Sequence, residues 1–542
     1  MRPTVHVIAQ SHIDVAWLWR YDPETIYGCC EPTFGLATKK MERYPSYRFS
    51  QSQVPLYEAT ERTFPKLFEK IKERIKEGRW EVVGGSYVEF EGGEPCGESI
   101  ARQCIMGKRW FLEKLGVDVK TGWQVDAWSH PWQLPQILSK CGITSYLFRR
   151  GERGEKLFWW KSPDGSMVLG YKPLFENVPD SWEGFASMMS NRYGVEDVAV
   201  MIGRGDHGGG PTSDEIEAIG SFAQRISPSM EVRFSSFDEF VRSALARGRN
   251  FPVIDDELRF ELVGDLTNCG EIKEENRHCE NLLLAAEKFC SLASLVLNRR
   301  YPDEELYESW RKLLFNQFHD IIGGSGIPAV CEDAMRFYAS IRESCDRQLR
   351  GSLSSISSNI DTRVQGMTVV VFNQLAWERT DLAEVELELK AGQEGLGLLD
   401  EDGNKLPVQI TRDAEGGGKR LVKFIFIAEN VPSLGYRTYR LVFGEGRDEP
   451  PSSLSTSELK IENEFFRVEV DPDIGCVRRI LDKLDGFEVL DKSGGGNSLV
   501  AIEDMGTLKG DSSRGATPCS NPRGGPWKYQ ANPLWRSGSS VQ

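Results

Sequence analysis

The sequence predicts a multidomain protein of mixed class, α/β plus α plus β. An N-terminal parallel β/α domain is followed by a helical bundle and an incomplete C-terminal β-sandwich. Three observations carry that expectation. Strand-like and helix-like runs alternate over residues 1–255, long amphipathic runs fill 256–360, and turn-separated strand patterns occupy 361–509. At 542 residues the chain is also too long for one ordinary core.

In the first region "TVHVIAQSH", "WEVVGGSYV", "GWQVD", "TSYLFRR", "MVLGYKP" and "VAVMIG" read as strands, with β-branched and aromatic residues gathered between turn formers. Between them "YEATERTFPKLFEKIKERIKEG" and "ESIARQCIMGKRWFLEKLG" carry helical periodicity. Such alternation predicts a parallel sheet, open or closed into a barrel. A site is then expected at the carboxyl ends of its strands. In the second region "CENLLLAAEKFCSLASLVLNRR", "DEELYESWRKLLFNQFHDII" and "IPAVCEDAMRFYASIRESCDRQLRGSL" predict a small helical bundle. In the third, "GMTVVVFN", "LAEVELELK", "LPVQITR", "LVKFIFIAENV" and "YRTYRLVFG" alternate with turns as sandwich strands do. Residues 510–542 hold no acidic residue after Asp511 and read as a disordered tail or a foreign C-terminus.

A formal charge of −15 argues against a nucleic-acid partner and against anionic membranes. No stretch has the apolar length to span a bilayer. The start "MRPTVHVIAQSHID" lacks the uninterrupted apolar core of a secretory signal. The twelve cysteines are scattered, which favours reduced thiols over a disulfide framework. The cytoplasm is the expected location.

Four motifs carry chemistry. His12 and Asp14 end the first strand, and alternate residues of an extended segment project to one side, so both can ligate one ion. A His–Asp hydrogen bond capping the strand would look the same. "GWQVDAWSHPWQLPQIL" delivers Asp126 from a short strand, followed by Trp128; Asp126 suits a nucleophile, a base or a ligand, and equally a cap for a helix starting near Trp132. "GRGDHGGGPT" places Asp206 among glycines that let backbone approach a ligand. It lacks the GK[ST] of a phosphate loop, and a plain surface loop is the alternative. "NQFHDIIGGSG" puts His319 and Asp320 at a helix end, where a histidine often only complements the helix dipole. Joined, a sheet end bearing His12, Asp14, Asp126 and Asp206 and a helical domain bringing His319 make one site. Two nitrogen and two oxygen ligands suit Zn²⁺ or Co²⁺ better than Mg²⁺.

These motifs, with "GGSYVEFEGGEPCGES", "CENLLLAAEKF", "VVVFNQLAWERTDL" and "IENEFFRVEVDPDIGCVRRILDK", fall in one family's order from about residue 5 to about 505. The chain resembles the family-38 glycoside hydrolases, the class II α-mannosidases, and within them the cytosolic, metal-dependent branch. The resemblance implies a barrel-like β/α domain, a three-helix bundle and large β-sandwich domains. It implies a divalent metal, zinc first and cobalt second, on His12, Asp14, Asp126 and His319. Asp126 also matches the catalytic nucleophile and Asp206 the acid/base. Trp17, Trp128, Arg150 and Asp320 match residues lining the subsite for the terminal sugar. The implied reaction is retaining, exo-acting release of α-linked mannose, the metal chelating the cis 2- and 3-hydroxyls. A homo-oligomer is also implied, though a shortened sandwich works against it. The family pattern fades after "GNSLVAIEDMG", as in a C-terminally truncated frame. The alternatives are a metal-dependent polysaccharide deacetylase, whose ligand pair of closely spaced histidines is missing here, and a truncated, inactive sugar-binding relic.

Overall fold

The computed structural model describes residues 3–497, apart from 152, 176–178, 227–228, 249–250, 259–260, 363–365, 391–394, 417–418, 445–451 and 492–494. The expected tail, 510–542, and the end of the sandwich region therefore lie outside the described residues. The chain divides at Ile360/Asp361 into two compact units.

The first unit contains eleven strands among its described residues: β1 (Thr4–Ser11), β2 (Phe49–Gln51), β3 (Trp80–Val82), β4 (Thr121–Gln124), β5 (Ser145–Phe148), β6 (Leu157–Lys161), β7 (Met167–Tyr171), β8 (Leu174–Phe175), β9 (Val198–Arg204), β10 (Glu231–Phe234) and β11 (Val253–Ile254). One sheet runs β3-β2-β1-β9-β8 with β10 also on β1; the other runs β11-β6-β7-β5-β4. All their ladders are parallel except β6–β7. The ladders thus form two sheets rather than one closed ring among the described residues. A single bond from Gly84 N–H to the Thr121 carbonyl (3.0 Å) links the exit of β3 to β4. Every residue of β1 is buried, as befits a parallel strand covered on both faces.

Two sequence expectations change here. The run "WEVVGGSYV" is a strand only to Val82, because Gly84 (φ +93°) and Gly85 (φ +68°) turn the chain in the left-handed region. The run beginning "YEATERTF" is two helices, Val54–Thr63 and Pro65–Lys76; Pro65 has no N–H to continue the first and opens the second.

Three long helices follow, α1 (Gly270–Leu297), α2 (Asp303–Asn316) and α3 (Pro328–Ser357). The sequence places His319 and Asp320 at the close of a helix, but α2 stops at Asn316. Phe318 is extended, fully buried and bridged to Phe90, so His319–Ile322 forms a separate short turn. His319 is therefore no dipole complement for α2. Leu283, Trp310 and Tyr338 from the three helices share one apolar core with Val5, Val7 and Trp123 of the strands.

In the second unit Met367–Phe372, Tyr436–Phe443, Leu396–Leu399 and Lys405–Leu406 form one antiparallel sheet, and Arg379–Lys390, Lys419–Val431 and Gln409–Gly416 a second. Val422, Phe424, Phe426 and Ala428 alternate inward and meet Leu398, Tyr439 and Leu441 of the facing sheet, giving a sandwich core. A third antiparallel sheet spans residues 455–488. No helix among the described residues is long and apolar enough to cross a membrane.

Candidate active site

Parallel strands deliver their carboxyl ends to one side of a sheet, and here those ends carry the polar residues. His12 and Asp14 follow β1, Asp126 follows β4, Arg150 follows β5 and Asp206 follows β9. The turn after α2 brings His319 and Asp320 to the same place. His12 Nε2 lies 2.7 Å and His319 Nε2 3.7 Å from one oxygen, Asp14 Oδ1. His319 Nε2 is also 3.5 Å from Asp320 and 3.9 Å from Asp126 Oδ2. The two imidazoles stack at 5.5 Å.

The donor set fits a divalent ion. Ligand atoms of His12, Asp14 and His319 lie within 4.8 Å of one another, and all three residues are buried. Despite the short separations, His12 Nε2, His319 Nε2 and Asp14 Oδ1 make no aligned hydrogen bond among the described residues. Leaving three buried polar atoms unpaired is costly unless something else satisfies them. The tautomer agrees: His319 Nδ1 is 2.9 Å from the Glu89 carbonyl, which can only accept, so the ring proton sits on Nδ1 and Nε2 offers its lone pair. Imidazole nitrogen with carboxylate oxygen suits a borderline ion. Burial opposes charge on His319, yet Asp14, Asp320 and Asp126 push its pKa up to about 9. Burial likewise works against ionised Asp14, but His12 and His319 hold its carboxyl far below the usual range. The carboxylates here call for a cation, and a proton or a metal can supply it.

Asp126 stands beside this trio rather than within it. Its Oδ1 accepts from Arg150 Nε and meets Nη2, each at 2.8 Å, leaving Oδ2 toward His319. Burial raises its pKa, but the charges of His12, His319 and Arg150 outweigh that and hold the carboxyl below its ordinary value. The capping alternative fails, because the following helix begins at Leu134 after Gln133 and Asp126 is engaged elsewhere.

Above the donors opens a cleft of about 680 Å³, lined by Asp14, Trp17, Asp126, Trp128, Arg150, Asp206 and Asp320 among others. His12 and His319 flank Asp14, which is part of that lining. That size is ordinary for a small-ligand site. Trp128 packs edge-on to His319 at 6.0 Å. Gly323 permits this: a Cβ there would come within 2.6 Å of both the His319 carbonyl and the Trp128 ring. Asp206 is exposed and left-handed (φ +62°), a conformation that Asp tolerates better than most residues. Its carbonyl accepts from Asp14 N–H at 2.9 Å, tying the glycine-rich loop to the donor segment.

Sequence reasoning assigned no role to several residues found here. Leu262, Gly264, Asp265, Thr267 and Asn268 line one wall. Ser325 Oγ donates to Asp320 Oδ1. Glu89 and Glu91, from "GGSYVEFEGG", are fully buried behind the site, and Glu91 accepts from Trp128 N–H at 2.8 Å. Two carboxylates in one apolar run are the signal that was open to notice.

His130 steadies Arg150 from behind. Its Nε2 lies 3.1 Å from the Arg150 carbonyl and its Nδ1 2.7 Å from Tyr146 Oη, so the neutral ring donates from Nε2 and accepts at Nδ1. Burial lowers its pKa to about 4. An unfolded histidine takes its proton near pH 6.5, so stability is undiminished above that and falls as the pH drops from there toward 4. Between pH 7 and pH 5 this one group should remove about 2 kcal/mol. Denaturant titrations of wild type and His130→Gln at both values check this: the variant should lose about that much less.

Comparison with known proteins places the chain. Residues 2–257 match the glycosyl hydrolases family 38 N-terminal domain, and residues 264–356 match the alpha mannosidase middle domain. The chain belongs to glycosyl hydrolase family 38. It is 28% identical over 535 residues to alpha-mannosidase 2C1 of Homo sapiens, covering 93% of this chain and 46% of that protein. Alpha-mannosidase G of Dictyostelium discoideum is 26% identical over 536 residues, covering 92% and 48%. The chain thus spans about half the length of these curated relatives. In fold it is similar to an alpha-mannosidase from Enterococcus faecalis V583, with a TM-score of 0.73 at 18% identity over 90% of this chain and 61% of that one.

Proposed function

We propose that the chain is a retaining, exo-acting α-mannosidase that removes α-linked mannose from oligosaccharides or glycans in the cytoplasm. One observation carries this reading: three unpaired buried ligand atoms cluster at a cleft whose lining bears Asp14, Asp126, Asp206 and two tryptophans. The family assignment favours neither the deacetylase nor the sugar-binding relic.

His12, Asp14 and His319, with the Asp126 carboxylate beside them, would hold a divalent ion, zinc before cobalt, which would supply charge stabilisation and chelate the cis 2- and 3-hydroxyls of mannose. Trp17 and Trp128 offer the sugar ring apolar faces, and Asp320 accepts from a hydroxyl. Arg150 fixes Oδ1 of Asp126 and keeps the carboxylate ionised and oriented for attack on the anomeric carbon. As that C–O bond forms, the bond to the leaving oxygen breaks and Asp206 gives that oxygen its proton. Asp206, now ionised, takes a proton from water as that water attacks the same carbon; the bond from that carbon to Asp126 breaks, mannose leaves, and Asp126 is again ionised and Asp206 protonated.

The test is release of mannose from an aryl α-mannoside by metal-stripped protein, with Zn²⁺, Co²⁺ or Mg²⁺ added back. Activity should vanish on stripping and return with Zn²⁺ or Co²⁺ more fully than with Mg²⁺. Acetate release from an acetylated sugar, or mannose binding without turnover, would overturn the proposal.

A further inference from the structure

We propose that Glu89 is the positioning residue of the metal centre, its side chain holding His12 and its backbone carbonyl holding His319. The inference rests on the metal-centre reading above. Glu89 is 1% exposed. Its Oε2 lies 3.1 Å from His12 Nδ1 and has no aligned hydrogen bond among the described residues. Its carbonyl oxygen is 2.9 Å from His319 Nδ1 and also accepts from His319 N–H at 3.3 Å. One residue therefore places a carboxylate oxygen within 3.1 Å of His12 Nδ1 and an accepting carbonyl behind His319. An acceptor at Nδ1 keeps the proton there, turns Nε2 to the ion and raises its basicity.

Glu89 is itself held in place. Ser52 Oγ donates to Oε1 at 2.6 Å, and Glu89 N–H donates to Gln53 Oε1 at 3.2 Å. The Gln53 amide in turn donates from Nε2 to the Ile13 carbonyl at 2.8 Å, between His12 and Asp14. Gln53 is left-handed (φ +69°) and buried, a conformation non-glycine residues hold only where their surroundings demand it. Here it braces β1's exit against Glu89. Glu89 bonds through one carboxylate oxygen and turns the other to a histidine.

Glu89→Gln separates the two roles, since the amide keeps the volume, the Ser52 bond and the backbone carbonyl but removes the anion at His12. Co²⁺ affinity is read from the visible ligand-field spectrum on titration into metal-stripped protein, with His319→Ala marking loss of the site. Glu89→Gln should bind Co²⁺ about 10- to 100-fold more weakly, with a shifted spectrum. Glu81→Gln is the control: Glu81 is also a buried carboxylate, accepting from Ser50, Phe237 and Asp238, but lines a different cleft, and it should leave Co²⁺ affinity unchanged. Wild-type affinity and spectrum in Glu89→Gln, or an equal loss in Glu81→Gln, would overturn the proposal. If wild type itself takes up no Co²⁺, the metal-centre reading fails and Glu89's role falls with it, an outcome visible without any variant. Should Glu89→Gln not fold, ¹⁵N-histidine spectra of the wild-type Zn²⁺ protein decide: His12 and His319 must carry the proton at Nδ1, and metal at Nδ1 of either would refute the assignment.

Discussion

Asp126→Asn should lower mannose release by roughly four orders of magnitude or more, the scale of losing a nucleophile that acts with its partners as a unit. Asparagine has the right shape, and Arg150 can still bond its carbonyl oxygen, so the fold around β4 is expected to persist. What is lost is the nucleophilic carboxylate and its negative charge beside His319. Asp126→Ala goes further and opens space where the carboxylate stood. Azide supplied to that variant should enter, attack the anomeric carbon of an activated aryl α-mannoside and yield the β-mannosyl azide. Inverted azide product identifies the face from which Asp126 acts. Wild type should release mannose first as the α-anomer by NMR, as two carboxyls roughly 5–5.5 Å apart would require. Residual activity in Asp126→Asn above about a hundredth of wild type would remove Asp126 from the nucleophile role.

Much of the site was legible because its chemistry is written locally. His12 and Asp14 sit two apart at the end of a buried strand, and a strand's alternation places both on one side without any knowledge of the fold. Asp126 and Asp206 follow strands in the same way, and parallel topology then brings strand ends together. The fold class was legible for the same reason: alternation of period reports which face is buried, and that is a local property.

What was hidden depends on contacts between distant segments. The run "LLFNQFHDII" keeps helical periodicity across Gln317, with no Gly or Pro to mark a stop; the break comes from the bridge of Phe318 to Phe90, more than two hundred residues away. The run around Glu89 could draw attention, but what Glu89 touches was hidden for a deeper reason. Half of its contact with the site runs through a backbone carbonyl, which every residue has, and the other half reaches a histidine just past β1, far away in the sequence. The anchoring of Asp126 by Arg150 crosses from β4 to β5 and cannot be read from spacing. The short strand β10, "EVRF", with two of its four residues exposed, lacked the alternation that marks a strand.

Asp206→Asn should separate substrates by their leaving groups, which no structural role of that residue would do. The side chain is exposed on a loop bonded to the donor segment through its own carbonyl, a contact asparagine retains. The fold and the floor of the cleft should therefore survive the change, as circular dichroism and Co²⁺ uptake would confirm. An alkyl mannoside has a basic leaving oxygen that cannot depart without a proton, so its turnover should fall about 10²- to 10⁴-fold. A dinitrophenyl mannoside leaves as a stable anion and needs no proton in the first step, so its first turnover should be nearly unchanged. The second step still lacks a base for water, and a burst of phenolate followed by a slow steady rate should appear. Azide, which needs no deprotonation, should relieve that slow step and give the α-mannosyl azide, opposite in configuration to the product expected from Asp126→Ala. The pair of azide products assigns each carboxylate to its own face of the sugar. An equal loss on both mannosides, with no burst, would mean that Asp206 holds the loop and that the proton comes from elsewhere.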